Sequence, residues 1–276
     1  MKLQKIKYAF VAFLLLPVSC LALAAPKELK TPGVLSVISY SEFTPISYGK
    51  GQGYEADLLR AIAKLWQVKI KFQPENVYQG LWYLPSRTYN NADISIGGMS
   101  ISRDRIQQGA TFSTSTIYFK QSLLVRKEDY QSGKIMSYDS FKGKPLKIGV
   151  VPGTTGEQFA VLRAKESGLA SYQIVRYPSE QQLLPALQKK EIDAIGRGEI
   201  GNEFQAAKNK NFVTIAKRNF HEGFSFAVNN QNPNLLAELN QAITYLTDHG
   251  KITYADWQKN PHIFSERADL QKRNDL

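Results

Sequence analysis

Ile94-Ser95-Ile96-Gly97-Gly98-Met99-Ser100-Ile101-Ser102-Arg103-Asp104-Arg105 is the stretch on which the fold turns. It starts as a buried strand, passes through two glycines, and enters a helix that carries two arginines. Ser100 and Ser102 are both capable N-caps for that helix. A turn of this kind offers backbone N–H groups, hydroxyls and a guanidinium to one small anion. The same twelve residues also suit a plain βα turn with Arg105 in solvent, so the flanking chain has to decide.

Upstream, residues 33–39 read as a strand and 40–53 as a loop rich in Gly, Pro and aromatics. Leu58, Leu59, Ile62, Ala63, Leu65 and Trp66 then recur at helical spacing. Residues 68–72 alternate as a strand, 78–84 suit a short helix, and 92–96 form the strand that opens the quoted stretch. Downstream, strands are expected at 122–126, 146–151, 172–177, 192–195 and 224–228. Helices are expected at 157–166, 179–190, 233–249 and 252–259, with a frayed charged tail from Pro261. Strands alternating with helices of this length mean βαβ units. The pattern occurs once before Arg126 and again from Leu146 to Ile195, which predicts two α/β lobes and a cleft between them. Small ligands in such sheets bind at the carboxyl ends of the strands.

Composition narrows the class. The chain has 276 residues, 43% of them hydrophobic, an ordinary globular balance. Lys2, Lys5 and Lys7 precede an apolar run from Tyr8 to Leu16, and Ala22-Leu23-Ala24 supplies a small-x-small cleavage pattern. That run is too short to span a bilayer, so residues 1–24 read as a signal peptide and the protein as exported. Cys20, the single cysteine, invites comparison with a lipid-anchored precursor. Pro17 stands where that signal wants an aliphatic residue, so cleavage after Ala24 is preferred over lipidation. The mature chain then has no disulfide. Losing three lysines lowers the net charge from +11 to +8. The basic residues are scattered, which argues against a nucleic-acid partner.

The landmarks Gly53-Tyr54-Glu55-Ala56-Asp57-Leu58, Tyr78-Gln79-Gly80-Leu81, Ala92-Asp93-Ile94, Gly98 to Arg105, Phe112-Ser113, Gly153-Thr154-Thr155 and Glu191-Ile192-Asp193-Ala194 recur in a fixed order. In that order the chain, from Gly33 to about Trp257, resembles the extracellular solute-binding proteins of the polar-amino-acid type (family 3), the periplasmic receptors of ABC importers. The resemblance implies a type II periplasmic-binding-protein fold, each lobe a mainly parallel sheet flanked by helices, with a two-strand hinge. Lobe 1 would comprise residues 25–122 and 224–260, lobe 2 residues 123–223, and the tail residues 261–276. The crossing strands would lie near 123–126 and 224–228.

By the same resemblance, Arg105 would hold a ligand α-carboxylate through two parallel hydrogen bonds, a task that suits guanidinium better than ammonium. Gly98, through its backbone, and Ser100 would add polar contacts. Thr155, at a helix N-terminus of the second lobe, would reach the same carboxylate. Phe43 and Tyr78 would wall the ligand side chain, with Tyr40 as a further contact. The departure is on the far wall. Members that bind α-amino acids place an Asp where this chain has Gly198, so the ammonium half of the site is open to question. Glu199 is the nearest replacement, although consecutive residues do not point the same way. Arg197 suggests a second anionic group on the ligand.

The implied partners are an amino acid or related carboxylate and an inner-membrane ABC permease, with the protein acting as a monomer. No metal and no cofactor is implied. Two other readings stay beside this one. Cyclohexadienyl dehydratases share the scaffold and use a carboxylic acid as general acid. The matching position falls at Gly201, with Glu199 and Glu203 only displaced candidates. His221, His249 and His262 form no metal-spaced pair or catalytic elbow. A ligand sensor that signals to a membrane receptor would look the same in sequence.

Overall fold

The computed structural model describes residues 29–274 apart from 88, 89, 91, 169, 171, 172, 219 and 220. The expected signal peptide and Cys20 lie outside the described residues.

Lobe 1 begins with β1 (Val34–Tyr40), whose side chains are almost all buried. A small hairpin follows, β2 (Glu42–Phe43) and β3 (Ser47–Tyr48). Next comes α1 (Tyr54–Leu65), with Glu55 and Asp57 in its first turn and Lys64 in its last, the order that the helix dipole favours. The chain continues through β4 (Lys69–Glu75), a 3-10 turn (Leu81–Ser86) and β5 (Ile94–Ser100). A short helix, α2 (Arg103–Gln107), leads to β6 (Thr111–Phe112) and β7 (Ile117–Phe119).

Lobe 2 contains β8 (Gln121–Arg126), α3 (Lys127–Gln131), β9 (Ile148–Val150), α4 (Thr155–Ser167) and β10 (Ile174–Arg176). It is completed by α5 (Glu180–Gln188), β11 (Ala194–Gly198), α6 (Glu199–Lys208) and β12 (Phe212–Ile215). The chain then returns to the first sheet as β13 (Glu222–Val228) and ends in α7 (Pro233–Leu246), α8 (Tyr254–Lys259) and α9 (Ile263–Asn274).

The first sheet runs β4-β1-β5-β13-β6, with β7 also on β13, and the second runs β10-β9-β11-β8-β12. The expectation of mainly parallel sheets needs correcting. β4-β1-β5 and β10-β9-β11 are parallel, but β13 and β8 are antiparallel to their neighbours. The cause is the crossover. The carboxyl ends of the parallel strands point at the cleft, and the chain changes lobes there, so β8 and β13 must run back against them. The crossings fall at Lys120, between β7 and β8, and in the segment between β12 and β13.

The C-terminal segment also departs from expectation. Instead of fraying, α9 lies on α1, with Phe264 and Ala268 completely buried. Those two residues are one helical turn apart and, with Ile263, supply an apolar stripe on a helix rich in charge. In lobe 2 the landmark Asp193 has a structural task. Its carboxylate pairs with Arg126 at 2.8 Å and accepts the Lys147 amide, while Arg126 also pairs with Asp129.

Candidate functional site

The carboxyl ends of β1, β5, β9 and β11 converge on the seam between the lobes. There, side chains from both sheets enclose a cavity of about 30 Å³. That leaves room for only a few water molecules in this arrangement of the lobes.

Ser102 caps α2 by accepting the Arg105 amide at 3.3 Å, which turns the Arg105 side chain inward. Arg105 is 1% exposed. Its Nη1 donates to the Ser100 carbonyl at 2.6 Å, and its Nη2 donates to the Gly153 carbonyl at 2.8 Å and the Tyr78 hydroxyl at 3.3 Å. The guanidinium lies over the Trp82 ring, 4.6 Å from its centre. Its Nε has no partner. Among the described residues no carboxylate pairs with it, an unusual setting for a buried cation. The Gly153 carbonyl belongs to lobe 2, so this side chain spans the seam, just behind the cavity wall.

Gly98 sits at a bulge. Four steps along β5, from Met99 to Ser95, face two along β13, from Ser225 to Ala227. The extra residues put Gly98 at φ +63°, where a Cβ would lie 2.5 Å from the Phe43 ring. Its carbonyl accepts from the Tyr78 hydroxyl at 3.2 Å, and its amide donates to the Glu55 carboxyl at 3.0 Å. Glu55 is fully buried and desolvation pushes its carboxyl up to about 8, against the pull of the backbone amides. Tyr40 meets Tyr78 edge to face at 5.2 Å, and Phe43 meets Phe224 in the same way at 5.8 Å. The structure thus brings Gly98, Phe43, Tyr78 and Tyr40 to the cavity. Ser100 stands beside it, its Oγ 3.4 Å from the Thr155 Oγ1 on the opposite wall.

Thr155 opens α4, whose N-cap is Thr154, and it lines the cavity. Its hydroxyl accepts from Gln121 Nε2 at 3.0 Å. Gln121 also donates to the Glu222 carboxylate at 3.3 Å, which fixes the amide with Nε2 on that side. Gln121 Oε1 is buried without a donor. Arg197 and Glu180 form an ion pair at 2.7 Å with side chains only 10% and 8% exposed. Asn202 accepts from Arg197 Nε at 3.2 Å, and Arg197 Nη2 has no partner. Burial and the nearby Glu180 charge push the Tyr40 hydroxyl upward; it comes close to the Glu180 backbone without closing a normal hydrogen bond.

Two expected replacements on this wall are not where the reading put them. Glu199 turns away from the cavity. Its carboxylate accepts the Lys120 amide at 3.1 Å and pairs with Lys217 at 3.2 Å, because the chain enters α6 immediately after Gly198 and rotates successive side chains apart. The space an Asp at 198 would use is filled. A Cβ on Gly198 would lie 2.8 Å from the Phe119 ring, which stacks on Phe224 with centres 4.0 Å apart. Position 201 is filled likewise, since a Cβ there would meet Phe43 at 2.6 Å and Arg197 at 2.9 Å. Glu203 is held by Lys217.

Sequence reading missed Gln121, Glu180, Phe119 and Phe224. Glu180 had a usable signal, since it follows Ser179, which caps α5 by accepting the Gln181 amide. Gln121 had none locally. It belongs to the site because β8 sets it opposite Gly198.

A family model for bacterial extracellular solute-binding proteins, family 3, matches residues 35–259. A probable histidine-binding protein of Neisseria gonorrhoeae is 30% identical over 237 residues, 83% of each chain. Among solved structures, an ancestral arginine-binding protein bound to arginine aligns with a TM-score of 0.69 at 26% identity, covering 82% of this chain and 97% of that one. An ancestral amino-acid-binding protein described as a precursor of cyclohexadienyl dehydratase aligns at 0.70 with 25% identity, covering 82% and 95%.

Proposed function

Because the chain belongs to the bacterial extracellular solute-binding proteins of family 3, we propose that it is a receptor whose lobes close on an amino acid or related small carboxylate and pass it to an ABC-type importer in the inner membrane. It acts in the periplasm as a monomer and carries out no chemistry on its cargo. The observation that carries this reading is Arg105. A buried guanidinium with no carboxylate partner among the described residues bridges the seam, with Nη1 on the Ser100 carbonyl of lobe 1 and Nη2 on the Gly153 carbonyl of lobe 2. A ligand carboxylate would replace the Ser100 and Gly153 carbonyl oxygens on Nη1 and Nη2 and take two charge-assisted hydrogen bonds in parallel. Contact with both lobes makes closure and capture one event. The dehydratase-like alternative receives no support at position 201, where the expected acid is a glycine packed under Phe43.

The test is a thermal-shift screen of the mature protein against L-amino acids and matched carboxylates. At least one compound should raise the melting temperature, and Arg105→Ala should abolish that rise. A ligand-dependent shift that survives in the variant refutes the assignment.

A further inference from the structure

Three features of the wall opposite Arg105 do not belong to carboxylate capture. Arg197 Nη2 and Gln121 Oε1 are buried polar atoms without partners, on side chains that line the cavity. The carboxylate position at 198 is not merely missing but occupied by Phe119. Together they define a charge balance. Arg105 contributes one unpaired positive charge, Arg197 and Glu180 cancel, Glu222 behind Gln121 is set against Arg218 at 4.0 Å, and Glu180 is the one carboxylate among the lining residues. Glu55, beneath Gly98, is mostly the neutral acid at pH 7.

We propose that this wall is a second anion-reading subsite: Arg197 Nη2 takes a second carboxylate of the ligand, Gln121 Oε1 takes the donor on its α-carbon, and the preferred ligand is a small dicarboxylate. The inference rests on the receptor reading above. A guest with net negative charge neutralises the site, whereas a cationic one adds positive charge to a desolvated space whose one carboxylate is already paired. Breaking the Arg197–Glu180 pair to free Glu180 would strand Arg197, which costs more than adding an acceptor to its spare N–H. Because Gln121 Oε1 is an uncharged acceptor, it accepts a hydroxyl as readily as an amine. An α-hydroxy dicarboxylate and an acidic amino acid therefore bind comparably.

Calorimetric titration of the mature protein at neutral pH decides this. L-malate, L-aspartate and L-glutamate form one group of probes, and L-arginine, L-histidine and L-glutamine the other. At least one of the first group should bind tenfold or more tightly than every member of the second. Arg197→Gln should remove that margin, Arg197→Lys should restore part of it, and Gln121→Leu should weaken malate and aspartate alike. Circular dichroism confirms that each variant is folded. Tightest binding by arginine, histidine or glutamine overturns the dicarboxylate assignment. If that binding is lost in Arg105→Ala, the receptor reading stands without it. Binding of nothing in either group by folded protein also overturns the assignment. Binding that survives Arg105→Ala instead refutes Arg105 as the carboxylate holder, the observation on which the receptor reading rests.

Discussion

Glu55 should make this protein less stable as the medium becomes more alkaline. The carboxyl is fully buried, gives one oxygen to the Gly98 amide and leaves the other without a partner. Its folded value of about 8 stands against 4.5 for an unperturbed glutamate. Below pH 4.5 both folded and unfolded chains hold the proton, and the stabilising contribution is fully present. Between 4.5 and 8 the unfolded chain releases the proton while the folded one keeps it, so stability falls with rising pH. Each pH unit is worth about 1.4 kcal/mol, and the whole interval therefore of order 4–5 kcal/mol. Glu55→Gln keeps the acceptor toward Gly98 and cannot ionise. Urea denaturation from pH 4.5 to 8.5 is the assay. The variant should match the parent near pH 5 and exceed it by several kcal/mol at pH 8. Parallel curves for the two proteins would show that Glu55 does not carry the pH dependence.

Gly198→Asp should destabilise by about 1–3 kcal/mol through overpacking against the Phe119 ring. Phe119→Ala should cost about 3–5 kcal/mol alone. In a double-mutant cycle by urea denaturation the pair should cost at least 1 kcal/mol less than the two together, and strict additivity would contradict the contact. Phe264→Ala should cost roughly 3 kcal/mol or more, because its ring is wholly buried and packs edge to face on Tyr54 at 5.4 Å. A loss below 1 kcal/mol would mean that α9 is not docked in solution.

What the sequence disclosed depended on how local the cause was. β1, α1, β4 and β5 announce themselves through spacing, because burial of one face is written within a dozen residues. The turn from Gly98 to Arg105 was equally legible, being one continuous stretch. α9 was hidden because four apolar residues scattered among charges look like a solvated tail until α1 supplies the surface. Gln121 and Phe119 were hidden for a stronger reason. Their relation to Gly198 is made by strand pairing across nearly eighty residues and by the stacking of Phe119 on β13. Glu199 was misplaced because adjacency in the chain is not adjacency in space at the start of a helix.

The hydrogen bonds that Arg105 makes to the Ser100 and Gly153 carbonyls have a consequence for how tightly any guest is held. Those two oxygens occupy the N–H groups that an incoming carboxylate needs, so the backbone acts as a tethered competitor for its own receptor. Measured affinity is then only the surplus over this self-recognition, and it is scaled down by the fraction of time the competitor lets go. A competitor built from main-chain carbonyls cannot be deleted by side-chain substitution. It can be tuned only through the loop that positions it, which makes Gly153, at φ +79° and packed on Trp82, a regulator of affinity that never touches the cargo with a side chain.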